Sequence, residues 1–158
     1  MKVDCEIAGI RLGLDYIYPD YFCPRIERYM KFGIEPDHQM VVKVTKHIDK
    51  PSGEKVLLFK DRYLLHSEGT SYIVKENEKN EVTDLVRYDT SLKNVEINLL
   101  ETIGKRLPTV EYLLTGMMYF EMALAEGKIP IHASAIAWNG EAILFSASSG
   151  TGKSTQAA

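Results

Sequence analysis

The chain has 158 residues, with 19 Lys or Arg, 22 Asp or Glu and only 2 Cys, which gives a formal net charge of −3. A net negative charge does not favour binding to nucleic acid. No apolar run is long enough to span a bilayer, and the cysteines lack the spacing of a zinc site. Because the N-terminus has no apolar signal core either, we expect a cytoplasmic protein that binds neither nucleic acid nor membrane.

The N-terminal part of the sequence predicts two short strands and a short helix. Alternating apolar and polar runs lie between residues 3 and 16 and are broken by Gly9 and Gly13. A helix is predicted over residues 24–32, because a proline is favoured in a first turn and Gly33 provides a stop.

The central part of the sequence predicts an antiparallel β-meander. Short alternating segments are separated by Gly-, Asn-, Asp- and Ser-containing turns. The predicted strands are 40–46, 55–59, 63–67, 71–75, 82–88 and 95–100. Together with the first segments they form a predicted β-rich N-terminal module over residues 1–106.

A long helix is predicted over residues 107–126, starting near Pro108 and ending at Gly127. Apolar residues nearly encircle it, so we expect it to be buried between layers. A methionine-rich helix could instead bind a partner, and exposed methionines would favour homo-oligomers. We therefore expect a second region, 107–158, that joins this helix to the C-terminal segments.

Asn139-Gly140, between two apolar runs, predicts a two-residue β-hairpin of strands 131–137 and 141–146. With these two residues as the loop, the pairing arithmetic places His132 opposite Ala147. Ala147 begins the phosphate-binding loop that follows this hairpin, so His132 could act at the bound phosphates as an electrostatic or acid/base group. It could equally be a core or edge histidine that bonds to a backbone group.

The residues after the second strand of the hairpin form a Walker A pattern, Ala147-Ser148-Ser149-Gly150-Thr151-Gly152-Lys153-Ser154-Thr155. Such a loop turns its backbone N–H groups around phosphate oxygens, while its lysine reaches the β- and γ-phosphates. The hydroxyl of Ser154 would be a ligand of Mg²⁺. We therefore predict that residues 148–155 bind a nucleotide and Mg²⁺. The alternative is a glycine-rich turn that carries a lysine by chance.

A strand that enters the loop through a tight antiparallel hairpin differs from the helical crossover of the commonest P-loop proteins. The run 131–136, the Asn-Gly turn, the strand 142–145 and the loop together resemble the HPr kinase/phosphorylase group and its HPr-kinase-like relatives. The matching residues are His132, Gly140, Ser149, Gly150, Gly152, Lys153 and Ser154. The sequence departs from the family at Ala147, where glycine is usual, and at Thr155, where enzymes that act on HPr typically have glutamate.

The resemblance implies an α+β fold in which the hairpin begins a nucleotide core like that of phosphoenolpyruvate carboxykinase. It also implies an ATP- and Mg²⁺-dependent kinase with a protein or small-molecule phosphoacceptor, catalysing phosphoryl transfer with acidic residues that follow the loop. Because the sequence stops within the loop's helix, we expect a fragment of a longer kinase, inactive alone. The alternatives are a nucleotide-dependent switch or assembly ATPase or GTPase, and a binding module without catalysis.

Overall fold

The computed structural model describes residues 1–59, 61–131 and 133–146 and shows a mixed α+β protein. Its chain forms two compact units, Met1–Met122 and Ala123–Ala158, which divide within the second helix. The sequence predicts a different boundary, between residues 106 and 107, that separates a β-rich module from the region with the Walker A pattern. That boundary stays a prediction. The first unit contains an eight-stranded sheet and the second a two-stranded hairpin.

The helices and strands follow the sequence pattern closely, within a few residues at most ends. The elements are β1 Lys2–Ile7, β2 Ile10–Asp15, α1 Pro19–Ile26, β3 His38–Thr45, β4 Glu54–Phe59, β5 Arg62–Ser67, β6 Thr70–Glu76, β7 Val82–Asp89, β8 Asn94–Leu100, α2 Leu107–Ala125, β9 Ser134–Trp138 and β10 Glu141–Phe145. Short 3₁₀ segments at Glu27–Tyr29 and Glu101–Arg106 follow α1 and β8.

The large sheet has the strand order β1-β2-β3-β8-β7-β6-β5-β4, which corrects the prediction of a simple meander. Strands β4 to β8 do pair in sequence and antiparallel. However, β3 pairs in parallel with β2 on one side and with β8 on the other. The pattern of single strands could not show this, because both parallel partners of β3 are distant in sequence.

The helix α1 begins five residues before the predicted start, and it connects the parallel strands β2 and β3. Pro19, rather than Pro24, occupies its first turn, where a missing N–H is tolerated, and Pro24 lies inside the helix. Phe22 and Ile26 are buried, one helical turn apart. A further difference is that Gly13 lies within β2 and does not end a strand.

One face of the sheet packs with the helices in a core that we call the helix-side core. Strand residues such as Met40, Ile97 and Val86 belong to it, as do Leu114 and Met118 of α2. These strand residues share a face because side chains alternate along a strand and the three strands are paired in register.

A second core lies on the opposite face of the same sheet and covers strands β5 to β8. This far-side core contains Tyr63, Leu65, Val74 and Leu85, closed by Ile48 from the connection between β3 and β4. Leu85 directly precedes Val86 of the helix-side core, so consecutive residues of β7 serve opposite faces.

The helix α2 is buried along one stripe, which corrects the prediction of a helix buried all round. Leu107, Val110, Leu114, Met118 and Met122 recur every three or four residues and are buried. On another face, Leu113 is 61% exposed and Phe120 is 43% exposed. In the described part of the chain, the sheet therefore covers only some of the apolar residues that surround α2.

Candidate functional site

The hairpin that precedes the Walker A sequence is present with the predicted turn. Asn139 and Gly140 have positive φ values of 50° and 81°, as a tight two-residue hairpin turn with two left-handed residues requires. Trp138 pairs with Glu141, and the pairing continues without a shift to Ser134 and Phe145. The strand β10 therefore ends two positions before Ala147, the first residue of the Walker A pattern.

The predicted site residues themselves lie outside the described residues. These are His132 and Ser148, Ser149, Gly150, Thr151, Gly152, Lys153, Ser154 and Thr155, together with Ala147. The facing of His132 and Ala147 therefore stays a prediction. The same holds for Ser154 as a ligand of Mg²⁺.

The described side chains of the hairpin strands are mainly apolar or small. Ile143 and Leu144 are partly exposed, and Trp138 is exposed at the turn. Glu141 beside the turn is the one carboxylate in the described parts of the two hairpin strands, and it is exposed. The described hairpin strands thus carry one charged side chain, Glu141, beside the turn.

The most deeply buried carboxylate in the described chain is Glu111 on α2, whose residue is fully buried. Its two oxygens accept hydrogen bonds from the backbone N–H groups of Ile17 at 2.6 Å and Tyr18 at 3.1 Å. Burial raises the pKa of the Glu111 carboxyl, and the two N–H donors act in the opposite direction. Glu111 therefore binds the backbone just before α1 and has both oxygens engaged.

Asp84 of β7 is the second buried carboxylate, and it pairs with Arg62 of β5. The guanidinium donates to Asp84 Oδ1 from Nη2 at 3.0 Å and from Nε at 3.2 Å. Burial raises the pKa of Asp84, although Arg62 lowers it in part. Thr83 also donates to the carboxylate, at 3.3 Å. This arrangement connects β5 and β7, the two strands that flank β6 in the sheet.

Sequence reasoning missed both carboxylates, for different reasons. Asp84 did carry a signal in the sequence, because it stands between Val82 and Leu85, and a charged residue is unusual in a strand segment that is buried on both faces. Glu111 carried no signal in the sequence, because the backbone groups that it binds are 93 and 94 residues away in the chain.

The part of the chain that the structure describes contains no group of three or more His, Cys, Asp or Glu side chains that could hold a metal ion. None of its described helices combines the length and apolar character needed to cross a bilayer.

Comparison of the chain with protein-family models, with curated proteins and with solved structures gives no match in any of the three.

Proposed function

We propose that this chain binds MgATP through residues 148–155 and contributes the phosphate-binding part of an HPr-kinase-like phosphotransferase. The observation that supports the proposal most is the hairpin register, with Trp138 opposite Glu141 and both turn residues at positive φ. An antiparallel hairpin that leads directly into a Walker A sequence is the arrangement that the resemblance implies.

In this proposal the loop supplies binding and charge stabilisation. Lys153 neutralises charge on the β- and γ-phosphates, Ser154 binds Mg²⁺, and the loop N–H groups hold phosphate oxygens. Continued without a shift, the observed register would bring His132 opposite Ala147, next to the phosphates. Asp84 and Glu111 receive no catalytic role, because their oxygens are engaged in bonds that hold the sheet and the start of α1.

The direct test is isothermal titration calorimetry with MgATP, MgGTP and ATP in the presence of EDTA. We expect weak saturable binding of MgATP and at least about a tenfold loss of affinity in Lys153→Ala, because a charge-assisted phosphate contact is removed. Lys128→Ala is the matched control, since it removes a lysine whose ion pair with Glu126 is long, at 3.9 Å. Binding that is equal in wild type and Lys153→Ala, or undetectable in wild type, would refute the proposal.

The role of His132 needs a separate variant, His132→Gln. If the imidazole contacts the phosphates, the affinity for MgATP falls and its dependence on pH between 5 and 8 becomes flatter. If His132 is a core or edge residue, affinity is unchanged while stability falls.

The assignment to phosphoryl transfer is tested with γ-labelled ATP and candidate protein acceptors that carry serine. Because we expect the chain to be inactive alone, the expected result is no transfer; label transferred to a hydroxyl would support a kinase and contradict that expectation. Release of phosphate without an acceptor would instead favour the switch or assembly ATPase, and Lys153→Ala should abolish either activity.

A further inference from the structure

An apolar groove lies in the first unit between α1, α2 and the edge strands β1 and β2. It encloses about 540 Å³, within the range of roughly 300 to 1,000 Å³ that is typical of small-molecule sites. Cys5 and Leu12 form part of its floor, and the walls include Ile26 of α1 with Met117 and Phe120 of α2. We call this feature the α1–α2 groove.

The polar groups on the walls of the α1–α2 groove are mostly satisfied by the protein. The Tyr119 hydroxyl donates to the carbonyl of Ile7 at 3.0 Å, and the Thr115 hydroxyl donates within α2 to the carbonyl of Glu111 at 2.9 Å. Burial raises the pKa of the Cys5 thiol to about 11, so it is a neutral group at physiological pH. The inner surface is therefore apolar and uncharged.

Arg25 differs from these groups because it places a positive charge at one end of the groove. Its guanidinium lies 4.1 Å from the ring centroid of Tyr21 and 5.4 Å from that of Tyr112. It also donates to the carbonyl of Tyr21. Within the described residues Arg25 forms no ion pair with a carboxylate. The remaining N–H groups of its guanidinium can therefore donate hydrogen bonds to an anionic ligand.

The opposite end of the groove carries Glu121. It lies nine positions after Tyr112, which corresponds to roughly 14 Å along α2. The charge pattern of the groove is thus positive at the Arg25 end, apolar along its length and negative at the far end. An elongated ligand with one anionic end would be oriented by this pattern, with its anion at Arg25.

Gly116 provides an independent indication of open space in the groove. It lies within α2 and lines the groove, and a Cβ placed on it would meet no atom within 4 Å. No packing contact in the described chain therefore requires glycine, although glycine destabilises a helix interior relative to alanine. A larger side chain at this position would project into the groove.

We propose that the α1–α2 groove binds an elongated apolar carboxylate, of the class of medium-chain fatty acids, with its carboxylate on Arg25. The argument rests on the complementarity between this ligand and an apolar slot with one accessible guanidinium at its end. All residues involved belong to the first unit, and the proposal does not depend on nucleotide binding.

The test is calorimetry of the full chain with decanoate below its micelle concentration, alongside decanol and decyltrimethylammonium. Decanoate should bind at least about tenfold more tightly than decanol, because the charge-assisted bonds to Arg25 are added to the same apolar contact. Arg25→Gln should remove this preference for decanoate and leave the affinity for decanol unchanged. The cation should bind most weakly.

A blocking variant makes the result specific to the groove. Gly116→Met should reduce the affinity for decanoate and for decanol at least about tenfold, while Gly116→Ala should leave both nearly unchanged. Methionine methyl resonances give a local readout, since decanoate should shift Met117, which lines the groove. Thermal unfolding of both variants without ligand verifies that they are folded.

Three results would overturn the proposal. The first is equal affinity for decanoate, decanol and the cation, which would indicate a non-specific apolar surface. The second is undiminished binding of decanoate in Gly116→Met. The third is a concentration-dependent dimer in sedimentation velocity that Gly116→Met dissociates, because the groove would then be an interface between two copies of the chain.

Discussion

The structure predicts that replacing Glu111 destabilises the protein strongly, although the residue is not part of a catalytic site. Glu111→Leu introduces an apolar side chain of similar size and removes both carboxylate oxygens. The backbone N–H groups of Ile17 and Tyr18 then lose their acceptors at the start of α1. Glu111→Gln retains one acceptor oxygen and turns an NH₂ group toward the other N–H.

The magnitude follows from two opposing contributions. Each hydrogen bond to a charged acceptor is worth about 1.5–3 kcal/mol, so losing two would remove about 3–6 kcal/mol. Burial raises the pKa of Glu111, which shows that the ionised carboxyl loses solvation in the folded state, and Leu recovers part of this energy. We therefore expect a net loss of about 2–4 kcal/mol for Glu111→Leu and about half that for Glu111→Gln.

Urea unfolding at pH 7, followed by circular dichroism, measures this difference. A loss of about 2–4 kcal/mol should lower the melting temperature by roughly 6–12 °C for a protein of this size. Amide hydrogen exchange adds a local readout, because Ile17 and Tyr18 should exchange faster in both variants. Glu121→Gln, an exposed carboxylate on the same helix, is the matched control and should change stability by less than about 0.5 kcal/mol.

The reasoning is refuted if Glu111→Leu is as stable as the wild type at pH 7. That result would mean that the loss of solvation equals or exceeds the two hydrogen bonds. Unchanged exchange of the two amides would show, separately, that Glu111 does not hold the start of α1.

The pKa of Glu111 is raised in the folded state, so protonation of Glu111 adds stability to that of its hydrogen bonds below the unfolded pKa of about 4.3, and this addition is lost as the pH rises through the folded pKa. Wild type should therefore lose stability relative to Glu111→Gln across that pH range in urea titrations; a constant difference would contradict the shift. Arg62→Met should cost about 3 kcal/mol, because it leaves Asp84 buried without its cation, and a smaller loss in Arg62→Met/Asp84→Asn would confirm the coupling. Gly116→Ala should raise the free energy of unfolding by about 0.5–1 kcal/mol, whereas a loss would show a hidden packing role. Gly140→Ala should destabilise the hairpin by about 1 kcal/mol because φ is positive there, seen as faster amide exchange across β9 and β10.

Local patterns were enough to predict most strands, the helix α2 and the hairpin turn, and they indicated a helix near α1 with wrong bounds. The alternation of apolar and polar residues is local, and Asn139-Gly140 selects its turn through the conformations of those two residues alone. The pairing of β3 with β2 and β8 depends on residues far apart in the chain, so single-strand patterns could not predict it. The proposed nucleotide site follows from its motif, and the described hairpin tests only the entry to it.

The start of α1 shows most clearly why some boundaries were missed. Pro24 with Gly33 is a reasonable local signal for a helix, yet the chain begins its helix at Pro19. The N–H groups before that start are bonded by Glu111, more than 90 residues later. The α1–α2 groove is also assembled from separate elements, and no one segment contains enough of it to be recognised.

The position of β7 between two cores has a consequence for how the first unit unfolds. Val86 belongs to the helix-side core and its neighbour Leu85 to the far-side core, so one strand is anchored from both sides. Loss of packing in either core would remove one of the two sets of contacts that hold β7, and would thereby weaken the other core. The helices and the outer strands of the meander are therefore expected to unfold together as one cooperative unit, with the slowest amide exchange in β7 and β8.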